Sequence, residues 1–366
     1  MKGAGRLYPW SQRFNLKLLL LVLAIGLGIN VVGVGHLLLA VRSALSPADL
    51  QLLLHWIGLL LLVLIPAAGI YSLVSEFAFW EGWLEGLPAP STLFDHTPAV
   101  AASHRCYLVY LDGIHQLERD HPPRVSAFLE LLEQQLAAET LLVRGLETYT
   151  VMPVALAEDA GSAWFWRRLF ALQELHPNGL VQLLAAVLVQ ANNVIKVGIS
   201  SDRRYGPILN YELALKISLR LAELGFRPGG GSRIVLTGYS GGAEMAMGVA
   251  DYLRRITQAP VSIISFCGVF SGNQVLDQLS GITTIVGSKD PVAAFGRIAY
   301  PGRSPLLPLS NWNKALSAGR IQRDCIDGMN HNGNSGPFSE PFRLRVIKAI
   351  LAALALPVAA PERTGC

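Results

Sequence analysis

The sequence predicts a mostly parallel α/β sheet with helices on both faces, preceded by a transmembrane helical hairpin. Two long apolar runs near the N-terminus predict the hairpin, and short apolar strands alternating with helices after residue 105 predict the sheet. Of 366 residues, 51% are hydrophobic and only 15% are charged, against about 25% charged in ordinary soluble domains. This composition excludes a disordered chain. The net charge of +4, from 30 basic and 26 acidic residues, is too balanced for a nucleic-acid-binding protein.

The two apolar runs, residues 18–41 and 50–75, contain no Asp, Glu, Lys or Arg. Each is longer than the roughly 20 residues that a helix needs to cross the hydrocarbon core. Between them, Ser46 and Pro47 suit the N-cap and the first position of a second helix. We therefore expect two transmembrane helices that bind the lipid bilayer. A cleaved signal peptide is the alternative for the first run, although a second span follows it.

Charge asymmetry predicts the orientation of this hairpin. The N-terminal tail, residues 1–17, carries four basic side chains, whereas the link between the runs carries only Arg42. An excess of Lys and Arg marks the cytoplasmic side, so we expect an integral membrane protein whose tail and catalytic domain are cytoplasmic. The four cysteines are scattered and form no CxxC pair, which fits a reducing compartment.

Residues 76–104 are predicted to form an interfacial helix and a linker. The apolar side chains of the helix recur at helical spacing: Phe77, Trp80, Leu84 and Leu87. Tryptophan next to a span is typical of the headgroup region, although the same aromatics could instead cap the domain that follows. Proline at three positions between residues 88 and 98 then indicates a linker.

From residue 105 to residue 356, apolar strands and helices alternate in the order of a parallel sheet covered on both faces. The predicted strands are 106–111, 140–151, 233–237, 261–267, 282–286 and a weaker 321–326, and the predicted helices are 125–138, 213–224, 243–254 and 341–356. Residues 152–206 interrupt the alternation as an insertion, either a lid or acyl-binding wall or helices packed on the sheet. Residues 357–366 form a C-terminal tail.

A candidate nucleophile stands between the predicted strand 233–237 and the predicted helix 243–254. Gly238-Tyr239-Ser240-Gly241-Gly242 matches G-x-S-x-G, and strand–turn–helix is the context that this nucleophile elbow requires. Small residues at 238 and 242 let strand and helix approach closely, which exposes the Ser240 hydroxyl at the carboxyl edge of the sheet. The alternative is a glycine-rich turn with a passive serine.

A serine hydroxyl needs a base that takes its proton. His331 is the only histidine after Ser240, and it lies in a loop beyond the last predicted strand. Asp290 follows the strand 282–286 directly and is the candidate that orients the imidazole, with Asp277 and Asp327 as fallbacks. The chain order Ser240, Asp290, His331 is that of the α/β-hydrolase catalytic triad.

On these residues the chain resembles the α/β-hydrolase superfamily over about residues 105–356. The resemblance implies hydrolysis of an ester, thioester or amide through an acyl-enzyme, without a metal or organic cofactor. It also implies an oxyanion hole made by the Gly241 N–H and a second N–H from Gly113 or Ile114. This chain has Asp112-Gly113 where the family often has His-Gly, and it has no obvious counterpart of the family's first two strands.

The predicted function is that of a membrane-anchored serine hydrolase acting on a small acyl substrate, with lipid-derived esters among the candidates. Three alternatives stay open. A patatin-like dyad would pair Ser240 with Asp327, a catalytically silent domain would act as a membrane-bound scaffold, and an acyltransferase would use the same acyl-enzyme with an acceptor other than water.

Overall fold

A computed structural model of the protein describes residues 93–94, 104–116, 121–149, 190, 193–202 and 206–355, together with residues 51, 52, 55 and 58. Within these ranges the domain is built on a six-stranded sheet in the order β2-β1-β3-β4-β5-β6, in which every neighbouring pair is parallel. The strands are β1 (Cys106–Leu111), β2 (Thr140–Val143), β3 (Arg233–Tyr239), β4 (Val261–Phe266), β5 (Gly281–Gly287) and β6 (Ile321–Ile326). The predicted class, a mostly parallel α/β sheet, is confirmed.

Helices cover both faces of this sheet, as the uninterrupted apolar strands predict. The helices are α1 (Pro123–Gln135), α2 (Gly206–Glu223), α3 (Gly242–Thr257), α4 (Pro291–Ala299), α5 (Asn311–Ser317) and α6 (Glu340–Ala355), and short 3-10 turns form at Pro301–Arg303 and Gly333–Ser335. Residues 193–201 are also helical.

The core divides into two apolar clusters, one on each face, because side chains alternate along a strand. In β1, Tyr107, Val109 and Leu111 pack in the cluster that contains the buried sides of α2 and α3. Cys106, Leu108 and Tyr110 pack in the other cluster, with α1 and α6. All six residues of β1 are buried, which explains why the strand reads as a continuous apolar run.

The elements differ most from the predicted ones in three respects. The predicted strand 140–151 ends at Val143, because Gly145 takes a left-handed backbone (φ 72°) and the chain then turns toward the loop after β1. Helix α2 begins at Gly206, seven residues before the predicted start at Leu213. Helices α4 and α5 were not predicted, although Asp290 followed by Pro291 and the Ser310 N-cap are recognisable helix starts.

Several predictions fall outside the described residues. These are the N-terminal tail 1–17, most of the two spans 18–41 and 50–75, nearly all of the segment 76–104, the larger part of the insertion 152–206 and the tail 357–366. In the part of the chain that the structure describes, no helix combines the length and apolar character needed to span a bilayer.

Candidate active site

Ser240 lies on a tight turn between β3 and α3. Its backbone is in the left-handed region (φ 51°), which a residue with a side chain adopts only when the surrounding structure holds it there. The Ser240 carbonyl accepts hydrogen bonds from Ala243 N–H at 3.1 Å and Val269 N–H at 3.0 Å, which fix the turn from both sides. The predicted strand–turn–helix context of the elbow is therefore present, with β3 extending two residues further than predicted.

Gly238 and Gly242, two residues before and after Ser240, lie where the surrounding backbone leaves no room for a side chain. A Cβ on Gly238 would lie 2.5 Å from the Gly242 carbonyl oxygen and 2.6 Å from Ala243 Cα. A Cβ on Gly242 would overlap the carbonyl oxygens of Leu111 and Asp112 at the end of β1. Since backbone atoms cannot give way cheaply, any larger side chain at either position would force the strand and the helix apart.

His331 reaches the serine from the loop after β6. Its Nε2 lies 2.9 Å from Ser240 Oγ, and both side chains are buried. The loop is held by two hydrogen bonds, from Tyr239 Oη to the His331 carbonyl at 2.9 Å and from His331 N–H to Asn330 Oδ1 at 2.7 Å. The Tyr239 ring also stacks on the imidazole, with the ring centres 5.6 Å apart. Tyr239, which the sequence identifies only as the variable residue before the serine in G-x-S-x-G, therefore positions the histidine.

Asp290 holds the other nitrogen of the imidazole. His331 Nδ1 lies 3.0 Å from Asp290 Oδ1 and 3.1 Å from Oδ2. The same carboxylate caps α4, because Oδ1 accepts from Val292 N–H at 3.0 Å and Ala293 N–H at 2.9 Å. Burial alone would raise the pKa of Asp290, but hydrogen bonds from His331 and the Ala293 amide outweigh it and lower that pKa.

The two fallback acids lie elsewhere. Asp277 is exposed and its carboxylate accepts from Gln278, whereas Asp327 is exposed and accepts from Ser288 Oγ at 2.9 Å.

Because Asp290 is ionised and accepts the Nδ1 proton, His331 Nε2 carries a lone pair toward the Ser240 hydroxyl. The arrangement can remove the serine proton during attack on an electrophilic carbon.

The Gly241 N–H, one of the expected oxyanion donors, directly follows Ser240. The Gly241 N–H has no hydrogen-bond acceptor among the described residues, and a Cβ at Gly241 would lie 3.0 Å from Ile114 Cγ2. The loop after β1 is therefore packed directly against the turn. This loop holds the two candidates for the second oxyanion donor. One of them, the Gly113 N–H, already donates to Asp112 Oδ1 at 2.7 Å. The Ile114 N–H stays a prediction for the second donor.

Asp112 organises this loop in a way that the sequence did not reveal. Besides the Gly113 N–H, its carboxylate contacts Tyr110 Oη at 3.0 Å and His121 Nδ1 at 2.8 Å. The Asp112 N–H donates to Thr148 Oγ1 at 3.1 Å, so the chain after β2 holds the loop as well. Three donors satisfy one buried carboxylate here. These three donors lie within nine residues of Asp112 in the chain, whereas Thr148, which accepts from the Asp112 N–H, is 36 residues away.

Cys267 adds a third possible metal ligand beside Asp290 and His331. One donor atom from each of the three lies within 4.8 Å of the others, a set that could hold an ion geometrically. The Asp290 carboxylate already accepts from two amides and the imidazole, and burial together with Asp290 raises the pKa of the Cys267 thiol. Thiolate is the form that binds metals, so these contacts favour a hydrogen-bond network around the carboxylate.

Comparisons with known proteins add little to this geometry. No protein-family model matches the chain, and neither does any curated protein. Among solved structures, an α/β serine hydrolase from Xanthomonas campestris, described as lacking a lid, matches 71% of this chain and 88% of its own at 12% identity, with a TM-score of 0.30. Similarity at this level does not assign the chain to the family of that protein.

Proposed function

We propose that the protein is a serine hydrolase that cleaves an acyl ester through a covalent acyl-enzyme. The observation that carries the proposal is the hydrogen-bonded series from Asp290 through His331 to Ser240, built on a turn whose serine is strained. A passive serine in a glycine-rich turn would have no need of an imidazole held in one orientation by a buried carboxylate. This series is also the reason to prefer an enzyme over a catalytically silent scaffold.

In the first half of the proposed reaction, Ser240 Oγ attacks the acyl carbonyl carbon while His331 Nε2 takes the hydroxyl proton. The negative charge that forms on the carbonyl oxygen is stabilised by the Gly241 N–H at the start of α3 and by the Ile114 N–H in the loop after β1. His331 then gives its proton to the leaving alcohol, and the C–O bond to that alcohol breaks. Asp290 stabilises the imidazolium between the two transfers.

In the second half, water repeats these steps on the acyl-enzyme. His331 takes a proton from the water, the hydroxide adds to the acyl carbon, and Ser240 leaves with the proton returned by His331. An acceptor alcohol or amine in place of water would make the same intermediate an acyl-transfer step. Every proton is moved by His331, so the reaction needs no cofactor.

The location of the enzyme belongs to the same proposal and depends on sequence alone. Residues 18–75 would anchor the protein in the bilayer as two helices, with the catalytic domain on the cytoplasmic side. An anchored site favours acyl substrates that are found at or near a membrane.

Labelling with a fluorophosphonate probe tests the mechanism, because the probe reacts with an activated serine and requires no knowledge of the substrate. Wild type should be labelled on the peptide that contains Ser240, and Ser240→Ala should lose the label. Ser218→Ala is the matched control, since Ser218 is also buried but its hydroxyl donates to the Ala214 carbonyl within α2. Equal labelling of wild type and Ser240→Ala would refute the nucleophile, and a folded wild type without label would favour the scaffold.

A further inference from the structure

Helix α4 and the chain that follows it expose an unusual amount of apolar surface. Six large apolar side chains between residues 292 and 309 are exposed, and we call them the α4 surface: Val292, Phe295, Ile298, Leu306, Leu307 and Leu309. Ile298 is 77% exposed, Leu306 88% and Leu309 80%. The helix buries only Ala293 and Gly296, so its large side chains point away from the protein. A surface helix of a globular protein normally does the reverse.

Within the chain segment that carries the α4 surface, the exposed charges have one sign. Residues 289–320 carry five basic side chains and a single acid, Asp290. That acid is buried against His331, so no carboxylate of this segment reaches solvent. Lys289, Arg297 and Lys314 are exposed. An apolar helix face with exposed basic residues and no exposed acid in its own segment resembles the helices that lie in the headgroup region of anionic membranes.

We propose that the α4 surface docks on the headgroup region of a bilayer that contains anionic lipid. The aliphatic side chains would enter the boundary between headgroups and acyl chains, and the exposed basic residues would face the lipid phosphates. A nucleic acid would not need the apolar side chains, and a basic protein partner would be repelled by the charge. An anionic bilayer offers both an apolar phase for the exposed side chains and phosphates for the basic residues, so it fits both features of the α4 surface.

The position of α4 extends this proposal to the substrate. The helix begins at Pro291, directly after the carboxylate that holds His331, so the docked surface adjoins the candidate active site. Resting on the proposed function, we infer that the substrate is a long-chain acyl ester taken from the bilayer rather than a freely soluble ester. The lipid contact itself does not depend on that function.

Spin-label accessibility tests the docking without using activity. The full-length chain, with Cys325 and Cys366 replaced by Ser, would carry a nitroxide at Ile298→Cys or Leu306→Cys and be reconstituted in phosphatidylcholine/phosphatidylglycerol vesicles. Leu344→Cys on α6, another exposed apolar position, is the matched control. We expect labels at 298 and 306 to collide more with oxygen and less with a water-soluble nickel chelate than the label at 344.

Two results would overturn the docking. Equal chelate contact at all three positions would mean that the α4 surface faces water. Low contact with both reagents at 298 and 306 would mean that protein covers it, either another segment of this chain or a second copy. In addition, Arg297→Glu should weaken the lipid contact about fivefold or more, because each basic residue near an anionic surface contributes about 1 kcal/mol. An unchanged contact in this variant would remove the role assigned to charge.

Kinetics test the substrate inference separately. Ile298→Ser with Leu306→Ser should lower turnover of a long-chain ester embedded in the same vesicles by about 100-fold, since two aliphatic side chains are lost from the lipid contact. Hydrolysis of a soluble short-chain ester should not change, and Leu344→Ser should affect neither substrate. If the labels report docking but wild type cleaves the vesicle ester no faster than the double variant does, the substrate inference is wrong. If wild type hydrolyses neither ester, that result would count against the proposed function but would not affect the docking result.

Discussion

Asp290→Asn separates the catalytic role of this carboxylate from its structural role. The Asp290 Oδ1 atom accepts from two amides at the start of α4, and asparagine is as good an N-cap as aspartate. The Asn carbonyl oxygen should therefore stay on the helix, which turns the amide NH2 toward His331 Nδ1. Nδ1 must then accept, so the imidazole proton moves to Nε2 and points at Ser240 Oγ. In that tautomer the histidine cannot remove the serine proton.

The expected effect on activity is large and the effect on stability is small. Loss of the correct tautomer should lower kcat by about 10³- to 10⁴-fold, as the equivalent change does in a well-studied serine protease. That loss corresponds to about 4–5 kcal/mol of transition-state stabilisation. Exchange of a charged acceptor for a neutral one should lower the free energy of unfolding by only about 1–2 kcal/mol at pH 7.

The stability difference should also depend on pH in a definite direction. Because the pKa of Asp290 is lowered in the folded protein, its contribution is present above the unfolded pKa of about 4 and is lost as pH falls through the folded pKa. Wild type and Asp290→Asn should therefore approach each other in stability as the solution becomes more acidic.

The assay is the rate of fluorophosphonate labelling, with ester hydrolysis once a substrate is found, and urea unfolding of the same samples. Asp327→Asn and Asp277→Asn are the matched controls, since both acids are exposed and neither contacts His331. A folded Asp290→Asn variant that keeps its labelling rate within about tenfold of wild type would refute the orienting role. A large loss in Asp327→Asn instead would favour the serine–aspartate dyad.

Three further predictions concern stability. Gly238→Ala should destabilise the fold by about 3 kcal/mol or more, because the new Cβ meets the backbone of Gly242, whereas Gly281→Ala, with open space around its Cβ, should lower the melting temperature far less in the same calorimetric scan. Burial raises the pKa of Glu244 to about 7, so the stability that its bound proton contributes is complete below the unfolded pKa and is lost as pH rises through about 7. Between pH 5 and pH 8, the free energy of unfolding in urea should therefore decrease less for Glu244→Gln than for wild type. Equal decreases would contradict this pKa. The buried Lys196 amine has no hydrogen-bond partner among the described residues, and burial lowers its pKa to about 7. Lys196→Met should therefore raise the free energy of unfolding by about 1–3 kcal/mol at neutral pH, and a less stable variant would show that the amine is compensated.

The parts of the site that the sequence could predict are those with a local signature. The elbow is recognisable because a strand, a tight glycine turn and a helix follow one another within the chain. His331 and Asp290 follow from chain order and from their place after strands. Their separate loops meet because the carboxyl ends of parallel strands lie at one edge of a sheet.

The parts that the sequence could not predict depend on side-chain contacts that no motif marks, or on a helix whose apolar side chains face outward. The carboxylate of Asp112 meets His121 and Tyr110 only after the loop is closed, and this closure is what occupies the Gly113 N–H. Helix α4 escaped prediction because its apolar side chains face outward, so its pattern is not that of a helix packed on a core. The hairpin at 18–75 is a prediction from composition and charge alone.

The double duty of the Asp290 side chain has a mechanical consequence. One carboxyl group caps the first turn of α4 and also holds the imidazole that contacts the Ser240 hydroxyl. A tilt or slide of that helix by a fraction of an ångström would be transmitted to the ring of His331 without any intervening joint. A redesign that replaces α4 must therefore keep an aspartate at its N-cap in the same position, because any shift of that residue would also move His331.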